Sequence, residues 1–180
     1  MNSLILLIGY TGVGKSHFLA EAKRYNIFSV QLRRMWEAKN SNNRILAKKA
    51  LIKLEQKTGN RNEWLNILLP EIQNSIEKHR LCIFEGISTE SEINWIEENI
   101  QNRKILLIYI FTNCSEKRSQ FVSKRENVSI DQAKAIILRS DKNRNNLGME
   151  KLKERAHRRI ENKYDNSFLD EIRDLVMELL

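Results

Sequence analysis

The residues most able to do chemistry stand close to the N-terminus. Gly9 to Ser16 reads GYTGVGKS and fits G-x-x-x-x-G-K-[ST]. Gly9, Gly12 and Gly14 let the backbone turn tightly, so that the N–H groups of Thr11, Val13 and their neighbours can point inward as an anion nest. The loop delivers an anion to a helix N-terminus, where free N–H groups and the helix dipole favour negative charge. Lys15 adds a point charge that reaches β- and γ-phosphates, Ser16 offers a hydroxyl to Mg²⁺, and His17 follows within reach of a bound nucleotide. The loop lies between an apolar run (LILLI, residues 4–8) and a helical pattern (residues 15–24), the context this mechanism requires. It predicts that a nucleoside triphosphate is bound, with Mg²⁺.

The rest of the chain must position that loop. Its 180 residues suit one domain. With six glycines and one proline, low-complexity linkers are excluded. The apolar start, Met1–Ile8, is too short to span a membrane and lacks a basic leader, so a buried strand is expected there. Cys82 and Cys114 form neither a metal motif nor a disulfide framework, which implies a reducing cytoplasm. His17, His79 and His157 sit in unrelated contexts that suit solvated or capping roles. Lysine and arginine (31) exceed aspartate and glutamate (23), a net charge of +8 that favours anionic partners: nucleotides, coenzymes or nucleic acid.

Strand patterns at 4–8, 27–30, 81–84, 104–111 and 159–162 alternate with helical ones at 15–24, 45–57, 63–78, 89–100, 115–124, 129–139, 150–158 and 168–179. Asn62 and Ser167 are placed to cap helices, Pro70 predicts a kink or break, and 140–148 is a basic polar stretch. Such alternation implies an open parallel α/β sheet with ligands at the carboxyl ends of its strands. A guanine-reading N-K-x-D motif is absent, which argues against a GTPase, and a AAA+ ATPase would need more length.

Several stretches resemble the P-loop nucleotide kinases, with the adenylate kinase and nucleoside-monophosphate kinase fold, including dephospho-CoA kinase-like and deoxynucleoside monophosphate kinase-like proteins. The loop has their G-x-x-G-x-G-K-S spacing; IFEGISTESEINWI (83–96) is similar to their third strand and following helix; residues 117–148 resemble their Arg-rich lid and 152–172 their ending. The resemblance implies a five-stranded parallel sheet flanked by helices, with the loop after the central first strand. It also implies a helical acceptor lobe at 32–79 and a short lid-like segment at 125–148. ATP would phosphorylate a small acceptor, either a nucleoside monophosphate or a dephospho-CoA-like precursor.

Phosphoryl transfer needs alignment and neutralisation of spreading charge. Arg118, Arg125, Arg139 and Arg144 are candidates, Arg125 and Arg139 foremost, although the eight basic and three acidic residues at 139–159 would equally make a solvated basic face. Glu85 stands where the family has Asp-Gly and could hold a Mg²⁺-bound water, accept the acceptor's proton, or merely cap. The family's arginine after the glycine is replaced by Ile87 and Ser88. Arg33 and Arg34 suit bidentate contacts to the acceptor's phosphate or a solvated helix start. Trp36 suits packing better than base stacking, and Asn162 falls where the family has an asparagine near the base. Two other classes remain open: an ATP-binding regulator or partner-dependent ATPase, supported by the altered 85–88 segment, and a kinase of nucleic-acid ends, supported by net charge. No apolar run is long enough for a membrane role.

Overall fold

A computed structural model describes residues 2–41 and 43–180, Arg44 by its backbone alone; Met1 of the apolar start lies outside the described residues. Five strands, β1 (Ser3–Ile8), β2 (Phe28–Gln31), β3 (Leu81–Glu85), β4 (Lys104–Phe111) and β5 (Arg158–Glu161), form one parallel sheet in the order β2-β3-β1-β4-β5. The phosphate loop therefore leaves the central strand, with β3 and β4 ending on either side of it. All six residues of β1 are buried. Leu4, Leu6 and Ile8 face one core and Ile5 and Leu7 the other, as the two-residue period of a strand dictates. Burying each such side chain contributes about 1.5–3 kcal/mol.

One face carries α1 (Lys15–Arg24) and α9 (Asn166–Leu179), through Phe18, Phe168 and Ile172. The other is covered by α2 (Leu32–Asn40), α4 (Glu63–Lys78), α5 (Glu90–Asn99) and α8 (Met149–Arg155), through Trp36, Leu68, Ile96 and Leu152. The segment between β2 and β3 is α2, α3 (Arg44–Thr58) and α4; that between β4 and β5 is α6 (Ser115–Glu126), α7 (Ile130–Asn146) and α8. Trp36 packs, as its sequence context suggests: it is 3% exposed, and its indole donates to the Ala47 carbonyl.

Five local expectations need correction. The basic stretch 140–148 is not a polar loop; α7 continues through Asn146. Residues 141–146, DKNRNN, are poor helix formers, but side-chain anchors described below hold them in register. Pro70 neither breaks nor ends α4. It lies on the solvent side, and Asn66, whose carbonyl loses its N–H partner, is exposed too, so water can satisfy it. The cap of α9 is Asp165, which accepts from the Ser167 amide and hydroxyl, rather than Ser167. Asn62 stands at the α4 N-cap without a side-chain cap bond; its amide instead donates to the Ser91 carbonyl. His157, expected to be solvated or capping, accepts the Leu107 amide proton at Nδ1 and extends the β4 edge. Both cysteines are free thiols. No described helix is long and apolar enough to cross a membrane.

Candidate active site

The strand-to-helix joint shapes the phosphate loop. Gly9 has φ 143° and Gly14 φ 106°, values that side-chain-bearing residues rarely adopt. The approach is close as well. A Cβ on Gly9 would lie 2.3 Å from the Ile110 carbonyl oxygen, and one on Gly14 would lie 2.3 Å from Asn162 Nδ2. Thr11 and Gly12 form a hydrogen-bonded turn, and beyond it the backbone N–H groups of Gly14 to His17 have no protein partner among the described residues. These free donors form an anion nest at the head of α1.

Lys15 is folded back over this nest. Its Nζ donates to the carbonyls of Gly9 (3.1 Å) and Tyr10 (2.8 Å) and lies 3.8 Å from Glu85 Oε1 at the end of β3. Burial lowers the Lys15 amine to about 8; the Glu85 carboxylate opposes that shift, and Arg144, Arg118 and Arg125 reinforce it.

The loop opens into a cavity of about 460 Å³. Thr11, Gly12, Gly14, Lys15 and Ser16 line its floor; Glu85, Gly86 and Ser88 line one wall; Arg33, Arg34, Gln31 and Glu37 line another; Arg125, Glu126, Phe121 and Arg144 come from the α6–α7 side. Ten expected residues thus meet here: Thr11, Gly12, Gly14, Lys15, Ser16, Arg33, Arg34, Glu85, Arg125 and Arg144. The Ser16 side chain is exposed to this space.

Other expected residues are placed differently. Gly9 makes the turn beneath the loop, and Val13 is 2% exposed in the core. His17 is exposed, is not among the residues lining this cavity, and meets Phe121 edge-on. Asn162, 1% exposed, clasps the loop from below: Nδ2 donates to the Val13 carbonyl, its backbone N–H to Phe111, and Oδ1 accepts from the Tyr164 amide. Tyr164 in turn donates its hydroxyl to the Gly12 carbonyl (2.6 Å). Arg139 is exposed and lines neither of the two described cavities. Arg144 lines the cavity instead and donates to the Ile87 carbonyl. Five residues of helix turn by about 140°, so the two arginines cannot share a face once α7 is continuous.

Arg33 is only partly available. It donates to the Gly86 carbonyl, pairs with Glu92, and lies 4.0 Å above the Trp64 ring. Glu92 is fully buried and accepts from the Ser88 amide and hydroxyl and the Thr89 amide as well. Thr89 and Glu92 also form the capping box of α5. Arg34 is exposed and has no ion-pair partner among the described residues, so it is the freer of the pair.

The sequence also hid how α6 and α7 seat on the loop. Arg118 donates Nε to the Thr11 carbonyl (2.7 Å) and both terminal nitrogens to Asp141 (2.9 and 2.7 Å). The Thr11 hydroxyl meets that of Ser140 at 2.5 Å, and Tyr10 donates to Asn145 and Glu150. No local spacing announces these pairs, which lie 23 to 140 residues apart.

No protein-family profile matches the chain, and no curated relative does. Solved structures do. A shikimate kinase from Bacteroides thetaiotaomicron superposes with TM-score 0.60 at 14% identity, covering 99% of this chain and 98% of that one. A shikimate kinase from Acinetobacter baumannii, solved with shikimate, gives TM-score 0.55 at 16% identity over 99% and 93%. A gluconokinase from Sinorhizobium meliloti gives 0.53 at 12% over 99% and 95%. At these identities the likeness concerns architecture alone: the chain shares the fold of these structures, a five-stranded parallel sheet with the glycine loop leaving its central strand.

Proposed function

We propose that this protein is an ATP-dependent phosphotransferase whose acceptor is a small hydroxyl-bearing anion. The observation that carries this reading is the single cavity in which the open phosphate nest, Lys15 and Glu85 meet the arginines Arg34 and Arg144. The fold neighbours act on acceptors of that kind, shikimate and gluconate, by their names.

The chain's own groups suffice for the binding and alignment such a transfer needs. The loop N–H groups and Lys15 hold the β- and γ-phosphates. Arg125 and Arg144 flank the transferring group and balance its spreading charge. Arg34 draws the acceptor's anionic group, and Gln31 and Ser88 offer hydrogen bonds to its hydroxyls. Glu85 accepts the proton of the attacking hydroxyl as the bond to phosphorus forms. Mg²⁺ fits these donors: Ser16 and Glu85 are hard oxygen ligands, and Mg²⁺ takes one or two such protein groups together with substrate phosphates and water. When bound it neutralises charge on the β- and γ-phosphates.

The nucleic-acid reading has less support. Arg155 is bound to Glu90, Asn94 and Glu97, and Arg158 to Glu178, so much of the basic 139–159 segment is neutralised within the fold. The regulator reading rests on Ile87 and Ser88 after the glycine, and Arg144 meets it in part by bringing a cation to that place from α7.

The test is phosphoryl transfer from labelled Mg-ATP to shikimate, gluconate, the nucleoside monophosphates and dephospho-CoA. One preferred acceptor supports the proposal; ATP binding with no acceptor turned over favours the regulator. Glu85→Gln should lower turnover about 10²–10⁴-fold with ATP affinity nearly unchanged. Equal turnover would demote Glu85 to a partner of Lys15.

A further inference from the structure

We propose that a second cavity, behind the phosphate loop, binds a small anion carried on an aromatic or heteroaromatic ring. The inference stands apart from the kinase reading, because this cavity shares no lining residue with the first. Successive loop residues face opposite ways: Thr11 and Gly12 line the first cavity, Tyr10 and Val13 the second. The second has a volume of about 490 Å³, within the range of small-molecule pockets and ample for a mononucleotide-sized ligand.

The carrying observation is Tyr109. It is only 4% exposed, lines this cavity, and its hydroxyl has no hydrogen-bond partner among the described residues. The ring is buried, but the hydroxyl is not sealed among the buried unpartnered atoms; it opens into the cavity and has a donor to give there. Its ring lies nearly parallel to that of Phe111, 5° apart with centroids 5.9 Å apart, and both line the cavity. An aromatic body suits these walls.

The charge balance selects an anion. Arg118 is neutralised by Asp141, and Lys153 pairs with Glu150. Arg159 is the neighbour of Tyr109 across the β4–β5 register, so the two side chains leave the sheet on one face. It spends one bond on the Lys153 carbonyl and has no carboxylate partner among the described residues. A phosphate or carboxylate could accept from the Tyr109 hydroxyl and the Arg159 guanidinium together. Asn113, Asn145 and Thr112 supply further polar groups at this site.

Calorimetric titration of the full chain tests this with two probes, AMP as the phosphate source and phenylpyruvate as the carboxylate source. At least one should bind. Its affinity should fall about tenfold or more in Arg159→Glu, where a lone exposed cation is reversed. It should fall by a smaller factor in Tyr109→Phe, which keeps the ring, and stay unchanged in Arg34→Glu, which alters only the first cavity. The probe that binds identifies the anion. Binding by neither probe would overturn the proposal. So would binding that Arg34→Glu removes and Arg159→Glu leaves intact, since the ligand would then sit on the acceptor side of the first cavity.

Discussion

Replacing Lys15 with alanine should abolish measurable Mg-ATP binding and cut any phosphoryl transfer about a thousand-fold, the scale on which a preorganised electrostatic donor acts. The geometry gives the reason. The amine is the loop's own cation, held over the nest by the Gly9 and Tyr10 carbonyls. Unchanged thermal stabilisation by Mg-ATP in the variant would remove the loop from the mechanism. The same residue has a pH signature. Its amine falls from 10.5 to about 8 on folding, so between those values the unfolded chain binds more protons there than the folded chain. Stability therefore rises with pH through that window, and the buried ammonium's cost of about 3 kcal/mol, present below pH 8, is relieved as the pH climbs. Relative to a neutral Lys15→Met variant, the parent should gain stability between pH 7 and pH 10 in urea denaturation. A pH-independent difference would mean that the amine remains charged throughout.

Glu92→Gln should cost about 3–5 kcal/mol, the penalty for breaking a buried charge pair from one side. The carboxylate receives four donors, the Ser88 amide and hydroxyl, the Thr89 amide and Arg33 Nη2. A carboxamide must turn an N–H toward at least one of them. A chain of this size should lose on the order of 10 °C in melting temperature. A thermal scan reads this directly, and a shift within 2 °C or so would show that the network is hydrated rather than closed. Because Ser88 lines the first cavity, acceptor binding should weaken with stability while the phosphate nest, built on another strand, keeps its ATP affinity.

Glu92 marks the boundary of what the sequence could show. The loop was legible because its function is local: three glycines, a lysine and a serine in eight residues, between a strand and a helix. β1 and β3 were legible because they are short apolar runs buried on both faces, and the helix that follows Thr89 opens with a four-residue capping box, Thr89 to Glu92. The site beyond the loop was not, because its pairs are distant in sequence. Glu92 had no part in the sequence reading, and only the fold shows it closing the cap of α5 and gripping Arg33, 59 residues away. Arg139 was preferred to Arg144 while 140–148 read as a loop; a continuous helix brings Arg144 to the cavity and leaves Arg139 outside it. Asn162 was placed near the nucleotide by resemblance, and the fold sets it under the loop, filling the space that a side chain on Gly14 would need.

The anchoring of α7 has a consequence for how the molecule opens. The last turns of that helix are written in residues that would fray alone, and their order is borrowed from Tyr10, Thr11 and Arg118. Loop and helix end therefore share one local unfolding free energy: the segment cannot melt without releasing the loop, nor the loop relax without exposing the segment. Ligand bound on the loop should then slow amide hydrogen exchange near Asn145 through this shared opening.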